Sequence, residues 1–275
     1  MPIDPAVAIG AELPGRDLSW TTTDVLLYHL TLGARATELR YVYERDLTVL
    51  PTFAVVTGTL GETEPPALDM PGVDISLAST LHGGEELVVH KPLPPSGTAQ
   101  SRSRIADVYD KGSSAIIVIE TVTDYFTIRR SVFVRGEGGF GGDRGPSSRV
   151  PPPDRAPDTV TLSPTWAEQA LWYRLCGDRN PLHADPAFAA MAGFPAPILH
   201  GLCTYGMVCK AVVDTVLDGD PTRVAGFSAR FSGVVYPGET LRTSIWRQDD
   251  RLLVNATVVE RDAPALSDAV LTIHG

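Results

Sequence analysis

Hydrophobic and polar positions alternate along six stretches of the chain, a pattern that predicts half-buried antiparallel strands. The stretches are rich in Val, Ile, Thr and Leu, whose side chains suit a pleated surface. Three of them lie in the first half of the chain and three in the second: 99–109, 115–123, 126–134, 239–247, 252–260 and 265–273.

Three other apolar segments predict helices. Residues 25–30 and 170–175 each precede a glycine, and residues 202–217 form a longer segment. The longer segment is apolar on most of its faces, which predicts a buried helix rather than a surface helix.

The order of these landmarks is repeated in the two halves. The glycines that follow the two shorter helices, Gly33 and Gly177, are 144 residues apart, and the turn glycines Gly97 and Gly238 are 141 apart. Similar offsets between unrelated landmarks indicate an internal duplication. The predicted fold is α+β, with two antiparallel sheets, each wrapped around a central helix.

A segment rich in Gly, Pro and Ser separates the two halves. Because such a segment buries little apolar surface, we expect a linker at 136–159 between an N-terminal unit, 1–135, and a C-terminal unit, 160–275. The segment contains a GxGxxG pattern beginning at Gly136. A dinucleotide site needs a helix directly after this pattern, and prolines follow instead, so we reject it.

Charge and composition exclude several classes of function. The net charge is −10 and no cluster of Lys and Arg occurs, so nucleic-acid binding is not expected. No apolar run approaches the roughly 18 residues that span a bilayer. Three cysteines without metal-ligand spacing indicate reduced thiols. No secretory leader or peroxisomal address is visible, and we expect a cytoplasmic protein.

A carboxylate and an imidazole, Asp178 and His183, lie five residues apart outside regular helix. Pro181 biases Asn180 away from helical angles and Gly177 permits unusual ones, so the chain must turn between the two groups. One ionised group and one switchable group suit the activation of water. The same two residues would also fit a turn-capping carboxylate and a hydrogen-bonded histidine.

The stretch that contains this pair, 173–183, resembles the signature of MaoC-like (R)-specific enoyl-CoA hydratases. That signature reads aromatic-x-Leu-small-Gly-Asp-x-Asn-Pro-Leu-His, and every fixed position is matched here. The segments 193–204 and 230–239 also resemble the family. The resemblance implies a double hotdog fold, as in the hydratase unit of the peroxisomal multifunctional enzyme of type 2.

The resemblance also implies an activity and its residues. The reaction is reversible syn addition of water to a trans-2-enoyl thioester, which gives the (R)-3-hydroxyacyl thioester in fatty-acid metabolism. Asp178 and His183 would hold the water, and the Gly201 amide at the start of the buried helix would stabilise the oxyanion. The implied substrate-binding residues are Asn180, His200, Tyr205 and Arg230.

Water and a thioester suffice for this reaction, so neither a metal nor a redox cofactor is expected. No HExxH pair occurs either. The expected partners are acyl-CoA or an acyl-carrier thioester and a second copy of the chain, in a homodimer. Two alternatives stay open, namely a hotdog acyl-CoA thioesterase and a non-catalytic subunit that binds acyl thioesters.

The repeat predicts one active site per chain. Aligning Gly33 with Gly177 places Ala34 opposite Asp178 and Leu39 opposite His183. The first half is therefore expected to shape the acyl pocket.

Other polar residues are assigned more simply. His29 is expected in the core or an interface, and His82 outside the catalytic set. His90 is expected on the surface, with a position near the coenzyme as the alternative, and His274 carries no functional signal. Three cations either meet coenzyme A phosphates or lie on a solvated face: Lys91, Arg230 and Arg242.

Overall fold

The computed structural model describes residues 2–146 and 149–274. Within these residues the chain forms one antiparallel sheet of ten strands. All six predicted strands are present, within one or two residues of the predicted bounds at most ends. The strands are β1 (Glu12–Trp20), β2 (Thr80–Val89), β3 (Gly97–Asp110), β4 (Ser114–Val122), β5 (Phe126–Arg135), β6 (Thr159–Pro164), β7 (Val224–Phe231), β8 (Thr240–Gln248), β9 (Arg251–Val258) and β10 (Ala263–Ile273).

Six α-helices accompany the sheet in the described part of the chain, none of them long and apolar enough to span a membrane. The three predicted helices correspond to α2, α4 and α6. The six are α1 (Pro5–Ala8), α2 (Thr22–Thr31), α3 (Leu39–Val42), α4 (Gln169–Tyr173), α5 (Pro186–Met191) and α6 (Gly201–Val216). Short 3-10 turns occur at Pro51–Val56, Leu77–Ser79, Arg174–Cys176, Pro181–His183 and Pro221–Arg223.

The strand order repeats between the halves. Across the sheet it runs β1-β3-β4-β5-β2 in the first half and continues β7-β10-β9-β8-β6 in the second. Counted from each edge to the centre, the two halves correspond strand by strand: β1 to β6, β3 to β8, β4 to β9, β5 to β10 and β2 to β7. This agrees with the predicted duplication, but the two sheets are not separate, because β2 pairs with β7 over five residues, from Gly84 to Val88.

Among the described residues, a long central helix occurs in the second half alone. Helix α6 is buried over most of its length and packs against β6, β7, β8 and β10. The corresponding residues of the first half, 57–72, form turns and irregular backbone. Pro65 and Pro66 lie in this segment and lack the amide hydrogens that a helix needs. The prediction of a helix inside each sheet is therefore wrong for the first half.

The glycine-rich segment folds back on the first half. No helix or strand forms among its described residues between β5 and β6; residues 147 and 148 lie outside the description. The amides of Gly139 and Gly141 donate to the Asp110 carboxylate, at 2.8 and 2.7 Å. With the amide of Gly112, they hold the Asp110 pKa at about 2. These glycine amides therefore donate their hydrogen bonds to a carboxylate of the chain itself.

His29 lies in the core, which is one of the two locations predicted for it. Its Nδ1 donates to the Tyr41 carbonyl at 3.0 Å, and its Nε2 accepts from the Leu50 amide at 3.2 Å. Burial lowers the His29 pKa to about 4, from an ordinary value of 6.5. The folded protein therefore holds this ring in its neutral form at neutral pH.

We predict that His29 makes the fold sensitive to acid. Between pH 6.5 and 4 the unfolded chain binds a proton at this ring that the folded chain does not, so stability falls as the pH falls. The difference in pKa corresponds to about 3 kcal/mol. Urea unfolding of the wild type and of His29→Gln at pH 7 and pH 4.5 should show a smaller loss on acidification in the variant. The surface variant His90→Gln should keep the wild-type loss. An equal loss in all three proteins would contradict this assignment.

Candidate active site

The chain enters the candidate site through a tight turn at Gly177. Its φ is +102°, and a Cβ there would lie 1.7 Å from the Thr59 carbonyl oxygen. The Thr59 hydroxyl also donates to the Cys176 carbonyl at 3.1 Å. The turn before Asp178 is therefore pressed against the first half, at a distance that only glycine tolerates.

The residues after Gly177 order one another through local hydrogen bonds. The Asn180 amide donates to the Asp178 carboxylate at 3.2 Å. The Asn180 side-chain oxygen accepts from the Leu182 amide at 3.0 Å and caps the turn that ends at His183. Asp178, Asn180 and His183 all line one cavity. The loop thus brings together the acid and the imidazole that the sequence singled out.

The hydrogen bond of His183 fixes its tautomer. Its Nδ1 lies 2.8 Å from the Ile198 carbonyl oxygen. Since a carbonyl only accepts, Nδ1 carries the proton and Nε2 keeps a lone pair in the neutral ring. Burial lowers the His183 pKa, although the nearby Asp178 charge opposes this effect. His183 is therefore neutral at neutral pH and can accept a proton at Nε2.

His200 lies behind His183 rather than on the cavity wall. The two rings stack with centroids 3.7 Å apart, and His200 Nε2 donates to the Asp178 carbonyl at 3.3 Å. Burial keeps the His200 pKa well below its ordinary value. His200 therefore does not line the cavity, in contrast to the substrate contact predicted for it. Its ring instead contacts both members of the pair, through the stack on His183 and the hydrogen bond to the Asp178 backbone.

Asp178 is ionised at neutral pH despite its burial. Burial alone would raise its pKa, but His200, His183 and the Asn180 amide favour the carboxylate, and the pKa is lowered overall. Arg130 contributes in the same direction. The pair therefore consists of a carboxylate and a neutral imidazole.

Three potential metal ligands meet at this point. One ligand atom each from Asp178, His183 and His200 lies within 4.8 Å of the other two. Two of the four ring nitrogens are committed as donors to carbonyl groups, to Ile198 and to Asp178. His183 Nε2 and His200 Nδ1 remain, so the donor set offers two nitrogens and a carboxylate.

Gly201 begins helix α6 and also lines the cavity. Its amide makes no hydrogen bond to any residue that the structure describes. The first amides of a helix have no partner within the helix and carry a partial positive charge. The Gly201 amide can therefore stabilise an oxyanion that forms in the cavity.

Both halves of the chain form the cavity, which has a volume of about 670 Å³. This is within the usual range of small-molecule sites. The first half contributes part of the irregular segment that stands in place of the helix, 59–68, and residues of β2 and β5. The second half contributes the Asp178–His183 loop, the start of α6 and residues 231–235. This placement supports the expectation that the first half shapes the acyl pocket.

Two predicted substrate contacts lie away from the cavity. The Tyr205 ring is buried and stacks on Phe227 at 4.4 Å, and its hydroxyl donates to the Phe227 carbonyl at 2.6 Å. Arg230 pairs with Asp268 at 2.9 Å. Neither residue lines the cavity. Tyr205 belongs to the core because α6 is buried on this face, and Arg230 lies on an outward position of β7.

The cations that do line the cavity were not predicted. They are Arg16, Arg130 and Arg179, instead of Lys91 and Arg242. Arg16 pairs with Glu62 at 2.7 Å, and Arg179 donates to the Glu62 carbonyl at 2.8 Å. His82 also reaches the cavity, from within β2. Arg16, His82 and Arg130 lie on strands, whose register decides which side chains meet the cavity, whereas Arg179 lies in the loop after Gly177. Composition alone gives no signal for these positions.

The fold and the site define a protein with two hotdog-like repeats and one acid–imidazole pair. The family described as MaoC like domain matches residues 148–268, and the MFE-2 hydratase 2 N-terminal domain matches residues 18–136. The chain is 52% identical to enoyl-CoA hydratase ChsH3 of Mycobacterium tuberculosis, over 95% of this chain and 96% of that protein. The chain therefore belongs to the MaoC-like family and has the hydratase 2 arrangement of two domains.

Solved structures agree with this assignment. A MaoC-like dehydratase from Phytophthora capsici superposes with a TM-score of 0.91 at 28% identity, covering 99% of this chain and 98% of that one. A Mycobacterium tuberculosis protein described as a double hotdog superposes with a TM-score of 0.56 at 14% identity, covering 99% and 98%. This second likeness bears on the fold alone, and the predicted double hotdog is confirmed.

We predict that Gly177→Ala disrupts the site. The added Cβ would meet the Thr59 carbonyl and the residue would keep a strained φ, so we expect a loss of at least about 2 kcal/mol in stability. The matched control is Gly193→Ala, because Gly193 has a φ of +87° with no atom within 4 Å of the added Cβ. The control should lose only about 1 kcal/mol. Equal losses in chemical denaturation would show that the contact with Thr59 is unimportant.

Proposed function

We propose that this protein catalyses the reversible hydration of trans-2-enoyl-CoA to (R)-3-hydroxyacyl-CoA in fatty-acid metabolism. The hydro-lyase class is shown by its relatives, which are named as enoyl-CoA hydratases and 3-hydroxyacyl-thioester dehydratases. The observation that carries the residue assignment is the meeting of Asp178, His183 and the Gly201 amide at one cavity.

The proposed mechanism follows from this geometry. Asp178 and His183 Nε2 hold one water, and one of them removes its proton as the oxygen bonds to C3 of the enoyl group. The electron pair moves to the thioester oxygen, where the Gly201 amide stabilises the negative charge. A proton then returns to C2. Because the pair holds the water on one face of the substrate, both additions occur on that face, which is syn addition.

Several further properties belong to the proposal. No metal or redox cofactor is needed, since the carboxylate and the imidazole supply the proton transfers. The substrate is an acyl-CoA or an acyl-carrier thioester. The three cysteines are buried and unpaired, which supports a cytoplasmic location. A homodimer is supported by the exposed apolar side chains Leu171, Trp172 and Leu175, which a second copy would cover.

We predict that Asp178→Asn and His183→Gln each lower turnover by about 100-fold or more, because each removes one proton acceptor from the pair. Loss of the enoyl absorbance with trans-2-decenoyl-CoA measures the rate, and His90→Gln is the matched surface control. Dialysis against a chelator should leave the wild-type rate unchanged.

Three outcomes would overturn this assignment. Wild-type turnover in either variant would remove that residue from the mechanism. Release of free thiol would favour the thioesterase, because hydration leaves the thioester bond intact. No change in any thioester of any chain length would favour a non-catalytic subunit.

We also predict the pH dependence of the reaction. It needs ionised Asp178 and neutral His183, and both groups have lowered pKa values. Therefore kcat/KM should be constant from pH 8 to below 6.5 and should fall only at lower pH, as either group gains a proton. Fluorescence at each pH separates this fall from unfolding. A rate already halved near pH 7 would contradict the neutral, buried state of His183.

A further inference from the structure

An ion pair of the first half lies at the cavity that the catalytic loop also lines. Glu85 on β2 has a fully buried side chain and faces Arg130 on β5, its direct partner in the sheet. Both guanidinium contacts to the Glu85 oxygens are 3.4 Å long, whereas His82 Nε2 lies 2.7 Å from Glu85. The hydrogen bond from His82 is therefore shorter than either contact from Arg130.

Arg130 keeps a donor free on the cavity side. A third of its side chain is exposed and it lines the cavity, while its Nη1 makes no hydrogen bond to any described residue. Burial lowers the Arg130 pKa, and Glu85, followed by Asp178 and Tyr173, raises it. Arg130 is therefore a cation that faces the same space as the catalytic carboxylate.

A second polar group in this cavity also lacks a partner. Tyr173 is fully buried and lines the cavity, and its hydroxyl is without a hydrogen-bond partner among the described residues. A buried hydroxyl without a partner costs about 1–3 kcal/mol. Much of the surrounding wall is apolar, including Val55, Val56 and Val132. Arg130 Nη1 and the Tyr173 hydroxyl are thus two donors without partners in the described part of the chain, in a largely apolar wall. They indicate that this part of the cavity binds a ligand group that accepts hydrogen bonds.

The charges of the cavity select the kind of acceptor. Glu85 already offsets the charge of Arg130, and Asp178 adds a second carboxylate nearby. A ligand carboxylate would bring a third negative charge into the same region, which is unfavourable at low dielectric. A neutral oxygen, such as a ketone or hydroxyl, accepts from Arg130 without this repulsion.

We propose that Arg130 and Tyr173 form a polar subsite that binds a neutral oxygen on the acyl group of the substrate. The proposal rests on the proposed function, because it takes the cavity to hold an acyl thioester. It assigns oxo- or hydroxyacyl-CoA, oxygenated away from the reacting C2–C3 bond, as a preferred substrate class.

Equilibrium binding tests this subsite without any turnover. Calorimetry gives Kd for decanoyl-CoA and for oxodecanoyl-CoAs that carry one ketone at C5, C6, C7, C8 or C9. The readout is the ratio of the two Kd values, which cancels changes common to both ligands. In the wild type the ketone should tighten binding at one or more positions. Turnover of trans-2-decenoyl-CoA is measured in parallel, so that failure of the hydratase assignment is seen separately.

Three variants make the test specific. Glu85→Gln with Arg130→Met removes the pair without leaving a buried carboxylate alone, and should lower the preference for the ketone by about 10- to 100-fold. Tyr173→Phe removes only the hydroxyl and should lower it by about 3- to 10-fold. Arg129→Met is the matched control, since Arg129 is the neighbouring residue and pairs with Asp107 and Glu120 instead. Its ratio should stay within twofold of the wild type.

The proposal is wrong if the ketone tightens binding at no position in the wild type. It is also wrong if the preference survives in the double variant and in Tyr173→Phe. Should the double variant fail to fold, as seen by circular dichroism, Tyr173→Phe alone decides between these results.

Discussion

The hydrogen bonds between β2 and β7 are the constraint on which the rest of the structure depends. They join two five-stranded repeats into one sheet, with Gly84–Val88 of the first half paired to Gly226–Arg230 of the second. The same pairing places Arg130 and the catalytic loop around one cavity. The close contact of Gly177 with Thr59 needs this fixed arrangement as well. The active site therefore depends on the strand pairing that joins the two repeats, although its catalytic pair comes from one repeat.

The two repeats differ in complementary ways. The second contains the central helix, whose first amide, at Gly201, makes no hydrogen bond to any described residue, and it carries Asp178 and His183. The first has irregular backbone at 57–72 in place of that helix, and part of this segment lines the cavity. Because a buried helix would fill the inside of the sheet, its replacement leaves volume for a ligand. One repeat therefore supplies the chemistry and the other supplies much of the space.

The sequence predicted the local features well and the long-range ones poorly. Alternation and β-branched residues located the six strands, and the apolar run located α6, because these features depend on neighbouring residues. The loop around Asp178 was predictable because Gly177 and Pro181 act locally. The central helix of the first half was predicted wrongly, since duplication was extended to a segment with Pro65 and Pro66. Tyr205 and Arg230 were misplaced, and Arg130 was missed, because the face of a strand or helix that meets the cavity depends on tertiary packing.

The central claim is that Asp178 and His183 hold one water on a single face of the enoyl group. The stereochemistry of the product tests this most directly. Hydration of trans-2-decenoyl-CoA in D2O, followed by NMR and chiral analysis, reports the configuration at C2 and C3. The account predicts the (R)-3-hydroxyacyl product, with deuterium and oxygen added to the same face. An (S) product, or addition to opposite faces, would contradict it.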